Sequence, residues 1–113
     1  MSRDQASLID IFNAGQRVLT YAQGFSRAEL EKDEMRLSAI LYQILIIGEA
    51  TKRLSPDFKG QHSEIPWSRV TGMRDIIAHQ YDRIDFNILW AVVQYSIPEL
   101  LNAIASLLPV KEP

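Results

Sequence analysis

Residues 33–54 read DEMRLSAILYQILIIGEATKRL. Leu37, Ile40, Leu41, Ile44, Leu45 and Ile47 recur at three- and four-residue spacing, which predicts a helix from about Asp33 to Leu54. Ala39, Tyr42 and Ile46 widen the apolar face until few positions are left for solvent. A helix apolar most of the way round is buried on more than one side. In a chain of 113 residues two readings of that burial stay open: the central helix of a bundle, or a seam with an oligomer partner. The most apolar part, Ala39–Gly48, is about ten residues long and includes Gln43, whereas a bilayer span needs roughly 20 apolar residues. It belongs in a core or an interface, and no membrane partner is expected.

Outward from this helix the pattern stays helical. Leu8, Ile11, Phe12, Val18 and Leu19 predict a first helix from about Asp4 to about Ala22, with Gly24 as its stop. Ser26 and Glu29 form a capping-box pattern that opens a short helical turn before the long helix. Residues 55–66, SPDFKGQHSEIP, read as the longest loop, punctuated by Pro56, Gly60 and Pro66. Pro66 is expected at the start of a third helix that carries Trp67, Val70, Met73, Ile76 and Ile77 and ends near His79. Asp82 and Asp85 are candidate caps for a fourth helix through Phe86, Leu89, Val92, Val93, Ile97, Leu100, Leu101, Ile104 and Leu107. Pro98 should kink it or split it near Ser96 and Ile97. No internal repeat and no period-two strand pattern is present. The expected fold is all-α, an up-and-down bundle of four to five helices forming a single domain over residues 1–113.

Composition agrees with one packed domain: 47% of the residues are apolar and none is cysteine. Disulfide frameworks, zinc–cysteine sites and thiol nucleophiles are excluded together. The N-terminus, Met1-Ser2-Arg3-Asp4-Gln5, lacks the layout of a signal peptide, and the expected location is the cytoplasm. Twelve basic against fourteen acidic residues give a net charge of −2, so a nucleic-acid partner would need a local basic surface. Lys52, Arg53, Lys59, Arg69 and Arg83 are candidates to line one, or to be dispersed solvated charges.

The chemistry concentrates in Arg74-Asp75-Ile76-Ile77-Ala78-His79-Gln80-Tyr81. Arg followed by His after four residues is a weak pattern alone, and Tyr81 two residues beyond the histidine sharpens it. Ile65-Pro66-Trp67 and Gly72-Met73 stand just before it, Ile47-Gly48-Glu49-Ala50 lies on the long helix, and Asp85–Trp90 follows. With these segments the sequence resembles the HEPN superfamily, specifically the HepT-like ribonuclease toxins with their R-x4-6-H and H-x-Y pattern, over roughly residues 5–108. The resemblance implies a helical bundle that dimerises, with the two Arg/His motifs facing one another. It implies metal-independent RNA cleavage, no cofactor, Arg74 and His79 as catalytic residues, and Asp75 as the supporting polar residue after the arginine. It also implies a type VII-like toxin–antitoxin pair, in which a minimal nucleotidyltransferase antitoxin attaches AMP to the motif tyrosine, here Tyr81.

The residues suit that chemistry. RNA supplies its own nucleophile, the 2′-hydroxyl. Cleavage needs a base for its proton, an acid for the leaving 5′-oxygen, and positive charge for the phosphorane. Histidine can be base or acid near neutrality. Arginine stays charged and grips phosphate in a planar fork. His62 and His79 are the only histidines, so two copies of His79 from two subunits would supply acid and base together. Five residues on an ideal helix separate Arg74 from His79 by about 140°. Either the helix ends at His79 and the chain turns back, or the residues converge from two subunits.

Each residue also has a plainer reading. Arg74 and Asp75 fit the surface of an amphipathic helix, His79 a helix C-terminus, and Tyr81 a core aromatic with one hydroxyl partner. Glu49 either orients Arg74 or is simply solvated. Gly72, inside a helix where glycine costs about 1 kcal/mol relative to alanine, suggests a close backbone approach, such as a helix crossing at a dimer seam. His62 is expected to be a bystander, and Trp67 and Trp90 packing anchors. The competing functional class is a non-catalytic HEPN module that binds a nucleotide or docks a nucleotidyltransferase. A helical interaction protein without a ligand is the third.

Overall fold

Ser2 opens the first helix. Its hydroxyl accepts from the Gln5 amide while the Gln5 side chain accepts from the Ser2 amide, a reciprocal capping box at 3.1 and 2.9 Å. The computed structural model describes residues 2–75 and 84–109. Among these the regular elements are all helical: α1 (Arg3–Ala22), α2 (Arg27–Lys32), α3 (Glu34–Arg53), α4 (Pro56–Gln61), α5 (Trp67–Gly72), α6 (Phe86–Ala91), a π-helical turn (Val92–Ser96) and α7 (Ile97–Ala105).

α1 stops where Gly24 takes φ +81°, a conformation glycine adopts without a Cβ penalty. Ser26 and Glu29 then form the predicted box and open α2. Arg36 fastens the corner between α1 and α3: its Nη1 donates to the Tyr21 carbonyl at 2.7 Å, and its guanidinium lies 4.1 Å from the centre of the Phe25 ring. At the far end of the pair, Asp4 accepts from the Ser55 amide and hydroxyl, both at 2.7 Å. The start of α3 thus meets the end of α1 and the reverse, so the two helices run antiparallel. Ile40, Ile44, Ile47 and Ala50 of α3 pack on Leu8, Ile11, Ala14 and Val18 of α1, all essentially inaccessible to water.

The C-terminal helix runs from Phe86 to Ala105, long and apolar enough by length and composition to cross a membrane. Its core position accounts for that composition, because Leu89, Val92, Val93, Ile97, Leu100, Leu101 and Ile104 are buried. Asp85 caps it, accepting from the Asn87 amide at 2.9 Å and the Ile88 amide at 3.3 Å. The disturbance expected from Pro98 takes the form of the π-helical turn over Val92–Ser96. Proline has no N–H to offer the fourth residue back and its ring crowds that carbonyl, and the wider turn makes room. Gly15 lets this helix approach α1 closely, since a Cβ there would sit 2.7 Å from Leu101 Cδ2.

Residues 55–66 are not a loop throughout, as the sequence suggested. Ser55 caps α4 through the Phe58 amide, and Pro56 occupies the first turn, where its missing N–H costs nothing. The proline and glycine that looked like breakers sit at positions a short helix tolerates. Phe58 ties α4 down by packing on the rings of His62 and Trp67, at 4.6 and 6.0 Å between centroids. Among the described residues nothing comes within 4 Å of a Cβ built on Gly72, and a crossing at a dimer seam would lie outside the single protomer.

Candidate active site

α5 begins after Pro66 and is held by Trp67, whose indole N–H donates to the His62 carbonyl at 3.0 Å. Val70 and Met73 bury its inner side. The helix ends at Gly72, and Met73 and Arg74 form a turn whose amides reach back to Arg69, Val70 and Thr71. Arg74 therefore stands on a turn rather than in the middle of a continuous helix. The angular separation calculated for an ideal helix does not govern where its side chain goes.

What governs it is α3. A Cβ on Gly48 would lie 2.9 Å from Arg74 Cβ and 3.2 Å from both Cγ and Cδ. The aliphatic stem of Arg74 thus occupies the space that any other side chain at position 48 would fill. One residue further along α3, Glu49 accepts a hydrogen bond from Arg74 Nη1 and forms an ion pair with it. The arginine side chain is 28% exposed and that of Glu49 45%, so the pair sits at the surface with part of the guanidinium in reach of solvent. Of the two readings of Glu49, the structure favours the partner of Arg74. Gly48 was missed as a site residue. The signal is a glycine inside a long helix, which carries the same suggestion of a close approach as Gly72.

Asp75 directly follows and is exposed. His79 and Tyr81 lie outside the described residues, as do Asp82 and Arg83. Of the basic residues singled out, Lys52 and Arg53 come together with Arg3 in an open cleft of about 650 Å³ that Glu49 also lines. Arg53 pairs with Asp10 at 3.3 Å. Arg69 faces a different, smaller hollow of about 250 Å³ between α5 and the C-terminal helix, and Lys59 is on α4. His62 has a packing role, its ring on Phe58 and its Nδ1 3.8 Å from Glu64. Among the described residues no three His, Asp or Glu side chains gather as a metal-ligand set.

A family model described as "Ribonuclease HepT-like" matches residues 11–107. The chain belongs to this family. Similar proteins include a "Probable ribonuclease HepT" of Thermococcus cleftensis, 34% identical over 82% of this chain and 84% of its own. A "Putative RNase" of Caldanaerobacter subterraneus subsp. tengcongensis is 35% identical over 76% of this chain and 77% of its own. Another chain of that description, from Methanocaldococcus jannaschii, is 29% identical over 85% of this chain and 88% of its own. No solved structure matches significantly. The HepT-like match runs through α1, α3, α5 and the C-terminal helix, so it includes both the arginine turn and the helix it rests on.

Proposed function

We propose that this HepT-like chain is a metal-independent endoribonuclease, with Arg74 and His79 as its catalytic residues in a composite site shared by two subunits. The observation that carries the reading is Arg74: a guanidinium seated on α3, held at one nitrogen by Glu49, and still partly open to solvent. A charge placed in this way suits an incoming phosphodiester, which the remaining N–H groups grip in a planar fork. His79 of one subunit takes the 2′-hydroxyl proton, and the oxygen attacks phosphorus. His79 of the other protonates the 5′-oxygen as the P–O5′ bond breaks, leaving a 2′,3′-cyclic phosphate. Arg74 stabilises the charge that builds on the phosphorane. Lys52, Arg53 and Arg3 contribute cations to a cleft of mixed charge, shared with Asp4 and Glu49, along which a strand can approach.

The test is cleavage of an RNA substrate by the purified chain with EDTA present. Cleavage is expected to persist. Arg74→Ala and His79→Ala should each lower the rate by roughly 10²–10⁴-fold, the usual contribution of a positioned acid–base group or charge stabiliser. Circular dichroism should show the helical content of both variants unchanged. A His79→Ala protein cutting RNA at the wild-type rate would refute the assignment.

The same proposal makes the chain the toxin of a type VII-like pair, neutralised by a nucleotidyltransferase that modifies Tyr81. The tyrosine oxygen attacks the α-phosphorus of ATP, the bond to the β-phosphate bridging oxygen breaks, pyrophosphate leaves and the phenolic proton is released. The added phosphodiester competes with RNA for the Arg74 fork, and the nucleoside fills the cleft. Intact-mass spectrometry after incubation with partner and ATP should show the gain of one AMP moiety on the wild type and none on Tyr81→Phe. An equal gain on both would place the modification elsewhere.

A further inference from the structure

We propose that Gly48 and Glu49 are positioning residues for Arg74, a seat and a clasp on α3 that set the orientation of the guanidinium before RNA arrives. The inference rests on the catalytic reading of Arg74, but its physical content can be tested apart from it.

The seat is steric. The contact of an added Cβ on Gly48 is with Arg74 Cβ, Cγ and Cδ at 2.9–3.2 Å. Cβ is tied to the backbone and cannot swing aside as the far end of a long side chain would. Any side chain at position 48 must therefore move the Met73–Arg74 turn relative to α3. Val70 and Met73 lock that turn from the other side, since both are buried against the core. The clasp is polar. Glu49 takes one of the guanidinium's five N–H groups, at Nη1. Nε and Nη2 carry the parallel pair of N–H groups that fits a phosphate, and fixing Nη1 turns that edge in a defined direction. An arginine side chain held at stem and head has already lost most of its rotamer freedom, so binding phosphate orders little more.

A guard is the alternative role for such a carboxylate: it would occupy the arginine and be displaced by phosphate. The two roles differ in sign. Removing a guard raises affinity and leaves turnover at or above the wild-type value. Removing a clasp lowers turnover, because the fork is misaligned in the transition state. Gly48 and Glu49 are consecutive residues of α3, and this favours the clasp, since one helix then holds the stem of Arg74 together with its head.

The experiment uses the full chain, four single variants (Glu49→Ala, Glu49→Gln, Gly48→Ala and Arg74→Ala) and the double variant Glu49→Ala with Arg74→Ala. Glu49→Ala is expected to lower kcat roughly 10- to 100-fold, the scale of a misplaced catalytic group, with KM unchanged or lowered. Glu49→Gln keeps an acceptor oxygen and should recover much of that loss. Gly48→Ala should lower kcat in the same direction. In the Arg74→Ala background, Glu49→Ala should cost nothing further, the signature of two residues acting as one unit. The Arg74 Nε–Hε resonance provides a readout independent of activity: it should shift and broaden in Glu49→Ala and less in Glu49→Gln. If Arg74→Ala itself cuts RNA normally, the catalytic reading fails while this resonance still reports on the clasp. A wild-type kcat in Glu49→Ala, or an Arg74 resonance that does not respond to Glu49→Ala, overturns the proposal.

Discussion

Two glycines place their neighbours by what they lack. At Gly15 the open space admits Leu101 of α7, and at Gly48 it admits the stem of Arg74. Gly15→Ala brings a methyl group to 2.7 Å from Leu101 Cδ2 in a core where Leu101 is already 6% exposed. Such overpacking typically costs about 1–3 kcal/mol. The expected outcome is a lower midpoint of chemical denaturation at an unchanged slope. Gly60, inside α4 with none of the described residues within 4 Å of its added Cβ, provides the control. Gly60→Ala should leave stability unchanged or raise it by about 0.5–1 kcal/mol through helix propensity. Equal losses in both variants would mean that helix propensity or backbone freedom, rather than the Leu101 contact, sets the outcome at position 15. Arg74 belongs to the same scale: one side chain whose direction is decided by a missing methyl and one carboxylate.

Among the elements, the joint between α1 and α4 depends on a charge. Hydrogen bonds from the Ser55 hydroxyl and amide hold the Asp4 carboxyl below the usual aspartate range, with the Arg3 charge adding a little. A carboxylate whose pKa is lower folded than unfolded contributes stability that is present above the unfolded value and lost as pH falls through the folded one. Asp4→Asn should therefore melt below the wild type at neutral pH. The gap should close as the pH drops through and below the ordinary aspartate range, where the wild-type side chain is itself neutral. Thermal melts over a pH series measure this, and a gap that widens in acid would contradict it. Glu29 is lowered in the same direction by the amide and hydroxyl of Ser26, so the capping box of α2 weakens in the same acid range. Elsewhere the elements show why a helix start is easier to recognise than a loop. Ser26–Glu29 and Asp85 are local signals that work wherever they occur. Ser55-Pro56 is an equally good start, but Pro56 and Gly60 also suit a loop. What decided for α4 was Phe58 finding the rings of His62 and Trp67.

At the scale of the molecule, the antiparallel pair α1–α3 and the C-terminal helix enclose a core whose largest members are fully buried. The long helix that was too apolar for one face divides its residues. Ile40, Ile44 and Ile47 go to the core, while Met35 and Tyr42 stand 84% and 60% exposed. Ile88 and Tyr95, on the C-terminal helix, are exposed as well. The proposed composite site uses two histidines and would require a second copy, and Met35 and Tyr42, exposed on α3, are candidates for the surface that a two-fold axis would bring together. Light scattering at micromolar concentration is expected to show a dimer. Tyr42→Glu, at a position open to solvent in the protomer, should leave the helical spectrum intact and move the equilibrium towards monomer. A wild-type chain that is strictly monomeric would remove the composite site from the mechanism.

The helical class, the antiparallel layout, the Ser26–Glu29 capping box and the disturbance at Pro98 were legible in the chain itself; the Ser2–Gln5 box was not singled out. The apolar spacing and the cap residues act within a few positions of one another, and the residues that carry them are neighbours in sequence. The pattern from Arg74 to Tyr81 is likewise local in the chain, although His79 and Tyr81 lie outside the described residues. The surroundings of Arg74 were not: Gly48 and Glu49 stand some 25 residues away in the chain, and only the packing of α5 on α3 brings them to the arginine. A close approach can be suspected from a glycine in a helix, but helical periodicity does not say which glycine faces a neighbour within the protomer. That choice belongs to the tertiary structure, because it depends on which atoms of two separate elements compete for the same space.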